Sequence, residues 1–249
     1  MIEFLSMQGN GLAYQRQIGI DECPGIIFLS GFASDMEGTK AVFLSERCAT
    51  HSVSFVRFDY RGCGRSSGQF TDGTIGAWFE DTLAVFDQLT QGPQIVVGSS
   101  MGGWLGLLLA KARPERVKTF IGVAAAPDFT EDLVWDQLTA LQREALRRKG
   151  EFYKDGSPLD QGKPLTLKLI EEARAHLILR HPLPLSCPVR LLQGMLDQEV
   201  PWQYAARIAA HVSQDDVRMT LIKDGDHRLS RAEDLELLWQ TVSAFLSVQ

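Results

Sequence analysis

The chain has 249 residues, a length that suits one large α/β domain or such a domain carrying an insertion. Its hydrophobic fraction of 45% and charged fraction of 22% are typical of soluble proteins, and its formal net charge is −6. No basic patch large enough to follow a phosphate backbone is visible in the sequence, so a nucleic-acid partner is not expected.

Short apolar runs alternate with longer helix-like segments along most of the chain. Strands are predicted, in chain order, at residues 2–6, 12–18, 25–30, 52–58, 95–97, 117–124, 189–193 and 217–222. Helices are predicted at 39–49, at 75–89, just after residue 100, at 202–212 and at 231–246. The first two strands should form a hairpin around Gly9-Asn10-Gly11, because Asn-Gly is typical of hairpin turns. The alternation predicts an α/β fold: a mostly parallel, twisted, eight-stranded sheet flanked by helices.

Residues 128–186 interrupt this alternation. Two helix-like segments, 128–148 and 165–179, flank a stretch rich in glycine, proline and charge, and no buried strand is evident there. We interpret 128–186 as a helical cap inserted into a core formed by residues 1–127 and 187–249. The alternative is a surface excursion that has nothing to do with a functional site.

The most informative motif is Gly-Ser-Ser-Met-Gly at residues 98–102. An apolar strand runs into it and a long apolar run of helix formers leaves it. Gly-x-Ser-x-Gly in this setting is typical of a nucleophile elbow, in which the middle residue, Ser100, sits on a strained, exposed turn. The N–H groups at the start of the following helix would favour negative charge on a bound carbonyl oxygen. The alternative is an ordinary strand-to-helix turn.

A second match to the same pattern occurs at residues 64–68, in a polar loop. No apolar strand enters it directly and no helix leaves it, so we interpret Ser66 as a loop residue. The surrounding run at 59–66 lacks the helix and the Gly-Lys-Ser/Thr of a phosphate loop, and is interpreted as a structural turn near the site.

A serine nucleophile needs a base, and the base needs a group that orients it. Asp197 follows the strand at 189–193, and His227 follows the strand at 217–222. Carboxyl ends of parallel strands meet at one edge of a sheet, where Ser100 is also expected. His227 would accept the Ser100 proton, and Asp197 would hold the imidazole tautomer and stabilise the imidazolium.

Other acidic residues could replace Asp197 in that role. Glu199, two residues further on, is the main alternative. Asp224 and Asp226 are less favoured, because they belong to the loop of His227 itself.

The oxyanion hole is expected to use the backbone N–H of Met101 and one N–H of the loop after the strand at 25–30, for which we choose Phe32. Neither the five histidines nor the four cysteines show metal-ligand spacing. No metal and no other cofactor is therefore predicted.

The N-terminal residues lack the basic and long apolar regions of a secretory signal, and the apolar run at 104–112 is too short to span a bilayer. The scattered cysteines are typical of thiols in a reducing compartment. We expect a cytoplasmic protein without stable membrane insertion.

Taken together, the motifs at 59–66, 98–102, 194–201 and 225–227 resemble the α/β-hydrolase superfamily over nearly the whole chain. Further segments at 30–32, 38–41, 98–104 and 124–131 are similar to the small-cap branch that contains the mitochondrial palmitoyl-protein thioesterase and acyl-glucuronide esterase. The resemblance implies Ser100, Asp197 and His227 as a catalytic triad. One departure concerns the oxyanion loop, where Ser30-Gly31 stands in place of the His-Gly found in many members.

The expected function is that of a serine hydrolase cleaving acyl thioesters or carboxylic esters through an acyl-enzyme on Ser100. Its partner would be a small-molecule acyl ester or an acylated protein or peptide, with the acyl chain buried by the cap. One alternative is a carboxylesterase acting on acyl glucuronides or xenobiotic esters. Another is a non-catalytic binding module on the same fold, which should show a broken triad.

Overall fold

An eight-stranded sheet forms the centre of the fold, in a computed structural model that describes residues 1–7, 10–20, 23–152 and 163–246. Its strands are β1 (Glu3–Met7), β2 (Asn10–Gln17), β3 (Gly25–Leu29), β4 (Phe55–Phe58), β5 (Gln94–Ser99), β6 (Val117–Val123), and two that follow the region 128–186, Val189–Gly194 and Val217–Ile222. The first strand pairs antiparallel with the second, and the second with the fourth, while all other pairs are parallel. The predicted fold class is confirmed.

Along the chain, β6 is followed by a small second sheet that consists of β7 (Glu151–Phe152) and β8 (Leu165–Thr166). The last two strands of the main sheet are therefore β9 (Val189–Gly194) and β10 (Val217–Ile222). The order across the main sheet is β1-β2-β4-β3-β5-β6-β9-β10. Strands β3 and β5 lie in the middle and are buried along their whole length. Their continuous apolar sequences follow from this, since both faces of the sheet are covered.

Helices cover both faces of the sheet. The α-helices of the described residues are α1 (Thr39–Thr50), α2 (Ile75–Leu89), α3 (Met101–Ala112), α4 (Ala140–Lys149), α5 (Leu167–Ala173), α6 (Gln203–His211) and α7 (Ala232–Ser243), and of these α4 packs in a separate small cluster with Trp135 and Ile170. Alternate residues of a strand point to opposite faces. Accordingly, Ile26 and Phe28 pack in one apolar layer with α1 and α7, whereas Ile27 and Leu29 pack in the other with α2 and α3.

Most predicted boundaries agree with the structure to within a few residues, and the exceptions have local causes. Strand β4 begins at Phe55 and not at residue 52, because α1 ends in a tight turn that includes Ser52, at a φ of +54°. The predicted hairpin is present, but Asn10 already pairs with Met7 inside β2. Residues 8 and 9, on which the predicted turn partly falls, lie outside the described residues.

The region 128–186 contains the helices expected there, but in shorter pieces. A π-helical turn (Thr130–Val134) and a 3₁₀ turn (Trp135–Gln137) precede α4, so the predicted helix at 128–148 is wrong as one continuous element. The break has a physical cause at Thr139: its side chain and that of Gln142 form a reciprocal capping box that starts α4. Thr-x-x-Gln is visible in the sequence and could have placed this boundary.

The same region also contains the short strands β7 and β8, where the sequence showed no clear strand and suggested a helix from residue 165. Leu165 and Thr166 are extended and buried, and the Thr166 side chain caps α5. The division into a core and a cap stays a prediction. No helix in the described part of the chain is long and apolar enough to cross a membrane.

Candidate active site

Ser100 occupies a sharp turn between β5 and α3. Its backbone has a φ of +51° and a ψ of −119°, a conformation that non-glycine residues rarely adopt. The turn depends on its glycines: a Cβ at Gly102 would lie 2.0 Å from the carbonyl oxygen of Leu29, and one at Gly98 would lie 2.3 Å from that of Gly102. The close approach of α3 to β3 and β5 therefore requires glycine at both positions, and the turn projects Ser100 into a cavity.

The structure brings Ser100, His227 and Asp197 together, although they lie far apart in the sequence. His227 Nε2 is 3.1 Å from Ser100 Oγ, and His227 Nδ1 is 2.8 Å from Asp197 Oδ2. A carboxylate can only accept, so Nδ1 carries the hydrogen of the neutral ring and Nε2 is left as an acceptor for the Ser100 hydroxyl. This is the geometry that a serine nucleophile and its base require.

Asp197 is held as a carboxylate by a set of donors around it. Its Oδ1 accepts from the backbone N–H groups of Glu199 and Val200, both at 2.8 Å, and its Oδ2 accepts from Gln193 Nε2 at 2.9 Å. Burial alone would raise the pKa of Asp197, but the hydrogen bond and charge of His227 and these N–H groups hold the pKa below its usual value. Asp197 therefore stays ionised and can orient His227.

Charges of both signs surround the His227 ring. Burial opposes its protonation, yet the hydrogen bond and charge of Asp197, together with the charge of Glu199, raise the pKa of His227 above its usual value. Glu199 Oε2 lies 3.6 Å from Nε2. The positive charge of Lys40 acts in the opposite direction.

The loop after β3 lies beside Ser100. A Cβ at Gly31 would come within 3.3 Å of the Ser100 Cβ, and the next residue, Phe32, lines the cavity. The Phe32 ring packs edge-on against Phe70, with ring centroids 5.1 Å apart. The N–H of Met101 belongs to the first residue of α3, where amides have no acceptor within the helix. Both backbone groups chosen for the oxyanion hole thus lie on the segments that flank Ser100.

The cavity around Ser100 has a volume of about 450 Å³ and is lined by both apolar and polar residues. The apolar lining comes largely from the region 128–186, and includes Phe32, Phe129, Leu133, Val134, Leu138, Phe152 and Leu165. The polar lining includes Ser34, Asp35, Thr39, Lys40, Gln137, Gln142, Glu199, Arg228 and Ser230. A ligand with an apolar chain and a polar end would find partners in both sets of residues.

The remaining acidic candidates have other partners. Glu199 lies on the Nε2 side of His227, whereas Nδ1 is taken by Asp197. Asp224 pairs with Arg231 at 2.7 Å, and the Asp226 carboxylate accepts from a backbone N–H of its own loop. Among the residues that the structure describes, no three His, Cys, Asp or Glu side chains are arranged to hold a metal ion.

One polar residue of the site, Lys40, is not among the functional residues predicted from the sequence. Lys40, in the first turn of α1, donates a hydrogen bond from Nζ to the carbonyl oxygen of Arg228, directly after His227. The two residues are 188 positions apart, and a single lysine in a helix gives no signal of such a contact. The segment 38–41, which includes Lys40, is similar to that of other proteins, but this resemblance assigns Lys40 no role.

Comparison with known proteins identifies the class to which this fold and site belong. Residues 26–236 match the model of the alpha/beta hydrolase family, which is most of the chain. The protein belongs to the α/β hydrolase family, and the relatives described next support hydrolase activity.

The sequence is 42% identical over 234 residues to "Palmitoyl-protein thioesterase ABHD10, mitochondrial" of Mus musculus, covering 93% of this chain and 77% of the mouse protein. The solved structure of mouse alpha/beta hydrolase domain-containing protein 10 matches with a TM-score of 0.89 and 39% identity, over 98% of this chain and 97% of that one. A putative hydrolase from Agrobacterium vitis S4 matches with a TM-score of 0.91 and 38% identity, over 99% and 98% of the two chains. The chain therefore resembles thioesterase-named relatives along nearly its whole length.

Proposed function

We propose that the protein is a serine hydrolase that cleaves acyl thioesters or carboxylic esters through an acyl-enzyme on Ser100. The observation that carries the proposal is the unbroken hydrogen-bonded chain from Asp197 through His227 to Ser100, with separations of 2.8 and 3.1 Å. A non-catalytic relative would be expected to lack one of these groups, so the intact chain argues against a binding module.

The geometry supports a two-step reaction. Ser100 Oγ attacks the substrate carbonyl carbon while His227 Nε2 accepts the hydroxyl proton. The tetrahedral oxyanion would be stabilised by the backbone N–H groups of Met101 and Phe32. His227 then gives its proton to the leaving thiolate or alkoxide, and the acyl group stays on Ser100. A water molecule, activated by the same imidazole, releases the carboxylic acid and restores the serine.

The mixed lining of the cavity supports an acyl substrate with a polar leaving group. The apolar lining residues can take up an acyl chain, and burying each methylene contributes about 0.8 kcal/mol. The relatives carry the name palmitoyl-protein thioesterase, which supports a medium or long acyl chain and includes acylated proteins or peptides among the candidates. The polar lining residues also support the second candidate, a carboxylesterase acting on esters of polar alcohols, among them acyl glucuronides. We keep a cytoplasmic location as a proposal, since the word "mitochondrial" describes the relatives.

A fluorophosphonate probe tests the proposal, because it reacts covalently with an activated serine. We expect labelling at Ser100, found by peptide mapping, and loss of both labelling and p-nitrophenyl ester turnover in Ser100→Ala. Ser66→Ala is the matched control, and the probe should still label Ser100 in this variant. Folded wild-type protein that is not labelled, or turnover that survives in Ser100→Ala, would exclude the serine mechanism.

A series of esters from C2 to C16 then tests the substrate class. The apolar lining residues of the cavity predict that KM falls as the acyl chain lengthens. A steep preference for acetyl would contradict an acyl-binding cap. Comparing each ester with its thioester separates the two candidate functions.

A further inference from the structure

The turn that follows His227 is held in a strained conformation. Leu229 has a φ of +42°, which costs free energy for a residue with a branched side chain. Within the turn, the Leu229 N–H donates to Asp226 Oδ1 at 2.9 Å, and Ser230 Oγ donates to the carbonyl oxygen of Arg228 at 3.0 Å. A strained turn persists when its surroundings fix it, so the other contacts of this turn decide how firmly His227 is placed.

Lys40 reaches this turn from another part of the fold. Its ammonium group donates to the carbonyl oxygen of Arg228 and lies 3.4 Å from Ser230 Oγ. Lysine loses much of its side-chain entropy when it is immobilised, so the hydrogen bond of Lys40 to a backbone carbonyl at the cavity wall must offset that loss. The contact connects α1 to the residue directly after His227.

We propose that Lys40 is a positioning residue of the reaction, whose ammonium group clamps the turn after His227 and thereby fixes the imidazole against Ser100. The inference rests on the proposed function, because it assigns His227 the role of the base. Lys40 lies on α1, whereas the three hydrogen-bonded residues Ser100, His227 and Asp197 follow strands of the main sheet.

The charge of Lys40 also acts on the imidazole. The charged groups that face His227 are Asp197, Glu199 and Lys40, and Lys40 is the one that disfavours the imidazolium. Lys40 itself is influenced by Asp226, Arg228 and Asp234, but burial is the largest effect and lowers its pKa to about 8. Lys40 is therefore mainly charged at pH 7, and removing it should raise the pKa of His227.

The test compares wild type with Lys40→Met, which keeps the length of the side chain and removes the donor and the charge. We expect kcat for a short p-nitrophenyl ester to fall about 10- to 100-fold, since small displacements of a reacting group have effects of this size. KM should change little, because Lys40 does not act on a short acyl chain. The acid limb of kcat/KM should move up by about half a pH unit as the pKa of His227 rises.

Two further variants serve as controls. Lys168→Met removes a lysine that instead pairs with Asp72 at 3.6 Å, and should leave kcat and the pH profile unchanged. Lys40→Arg keeps charge and donors at the same position, and should restore the wild-type acid limb. If Lys40→Met acted only by destabilising the fold, its acid limb would not shift upward and return to the wild-type position in Lys40→Arg.

A titration of the His227 ring by NMR in a Ser100→Ala background separates the two proposals, because it needs no turnover. We expect the pKa of His227 to be higher when Lys40→Met is added. If Ser100→Ala abolishes turnover while folded Lys40→Met keeps kcat within twofold and shows an unchanged pKa of His227, the role of Lys40 is overturned and the proposed function stands. If Lys40→Met does not fold, Lys40→Gln is titrated in its place and is judged by the same shift.

Discussion

Two segments of the chain share the pattern Gly-x-Ser-x-Gly, at 64–68 and at 98–102, and their serines have different environments. Ser100 Oγ meets the imidazole of His227 at 3.1 Å. Ser66 Oγ donates to the carbonyl oxygen of Asp59 at 2.6 Å and accepts from the Ala13 N–H at 2.8 Å. The first hydroxyl faces an imidazole in a cavity, whereas the second donates one hydrogen bond and accepts another, which connect a loop to the sheet.

The glycines of the two segments are also required for different reasons. A Cβ at Gly64 would lie 2.2 Å from Asp59 Oδ2, because the loop wraps closely around that buried carboxylate. Asp59 in turn accepts from the N–H groups of Met36 and Arg65. The glycines at 98 and 102 instead allow a helix to approach two strands. The same pattern can thus serve a structural turn or an elbow, and the strand and helix around it decide which.

The largest difference between the two serines is the hydrogen-bonded chain behind Ser100, and Asp197→Asn should break it. The new amide would donate to His227 Nδ1, so the ring would carry its hydrogen on Nε2 and could not accept the Ser100 proton. We expect kcat to fall by about 10⁴, measured with a p-nitrophenyl ester in the neutral pH range.

Asp224→Asn is the matched control for this change, because Asp224 pairs with Arg231 in the same loop region as His227. It should leave kcat unchanged. If kcat of Asp197→Asn stays within tenfold of wild type, a group other than Asp197 orients His227. Glu199, whose Oε2 lies 3.6 Å from Nε2, would then be the first candidate.

The core of the site could be predicted from sequence because each member follows a recognisable strand. Ser100 comes directly after β5, and Asp197 and His227 lie in the loops that follow β9 and β10; parallel strands bring such positions to one edge. Lys40 could not be found in this way, since its contact with the carbonyl oxygen of Arg228 depends on how α1 packs and on a backbone group that every residue has. The helix breaks within 128–186 depend on local caps, such as Thr139, and on the short pairing of β7 with β8. The spacing of apolar residues along the sequence does not reveal either feature.

A second difference between the segments is the space at their last glycine. A Cβ at Gly102 would meet the backbone of Leu29 at 2.0 Å, whereas one at Gly68 would lie 3.3 Å from the nearest atom, the amide nitrogen of Gly62. Gly102→Ala should therefore lower the free energy of unfolding by about 3 kcal/mol or more, because backbone atoms must move apart. Gly68→Ala should cost about 1–2 kcal/mol, from its φ of +104°.

Urea denaturation gives both free energies, and titration with the fluorophosphonate probe gives the fraction of competent sites. Labelling should be lost along with stability in Gly102→Ala and kept in folded Gly68→Ala. Equal destabilisation of the two variants, with labelling kept in both, would show that close packing under Ser100 does not define the elbow.

The smallest expected effect concerns the charge of Glu199, which lies next to the imidazole that Ser100 contacts. Glu199 Oε2 lies 3.6 Å from His227 Nε2 and raises the pKa of His227. Glu199→Gln removes this charge and should lower that pKa. Because the base works in its neutral form, the acid limb of kcat/KM should move to lower pH. The side chain of Glu199 is 53% exposed, and solvent screening limits the expected shift to a few tenths of a pH unit.

The direction of this shift distinguishes Glu199→Gln from Lys40→Met, since Lys40→Met is expected to move the acid limb of kcat/KM to higher pH. Glu80→Gln is a suitable control: Glu80 pairs with Arg61 at 3.2 Å and is 68% exposed, so it matches the change in charge and exposure. Profiles measured at constant ionic strength should separate the three variants. If Glu199→Gln moves the limb upward or leaves it in place, the carboxylate at 3.6 Å does not act on His227 through its charge, and the balance of charges around the base must come from Asp197 and Lys40 alone.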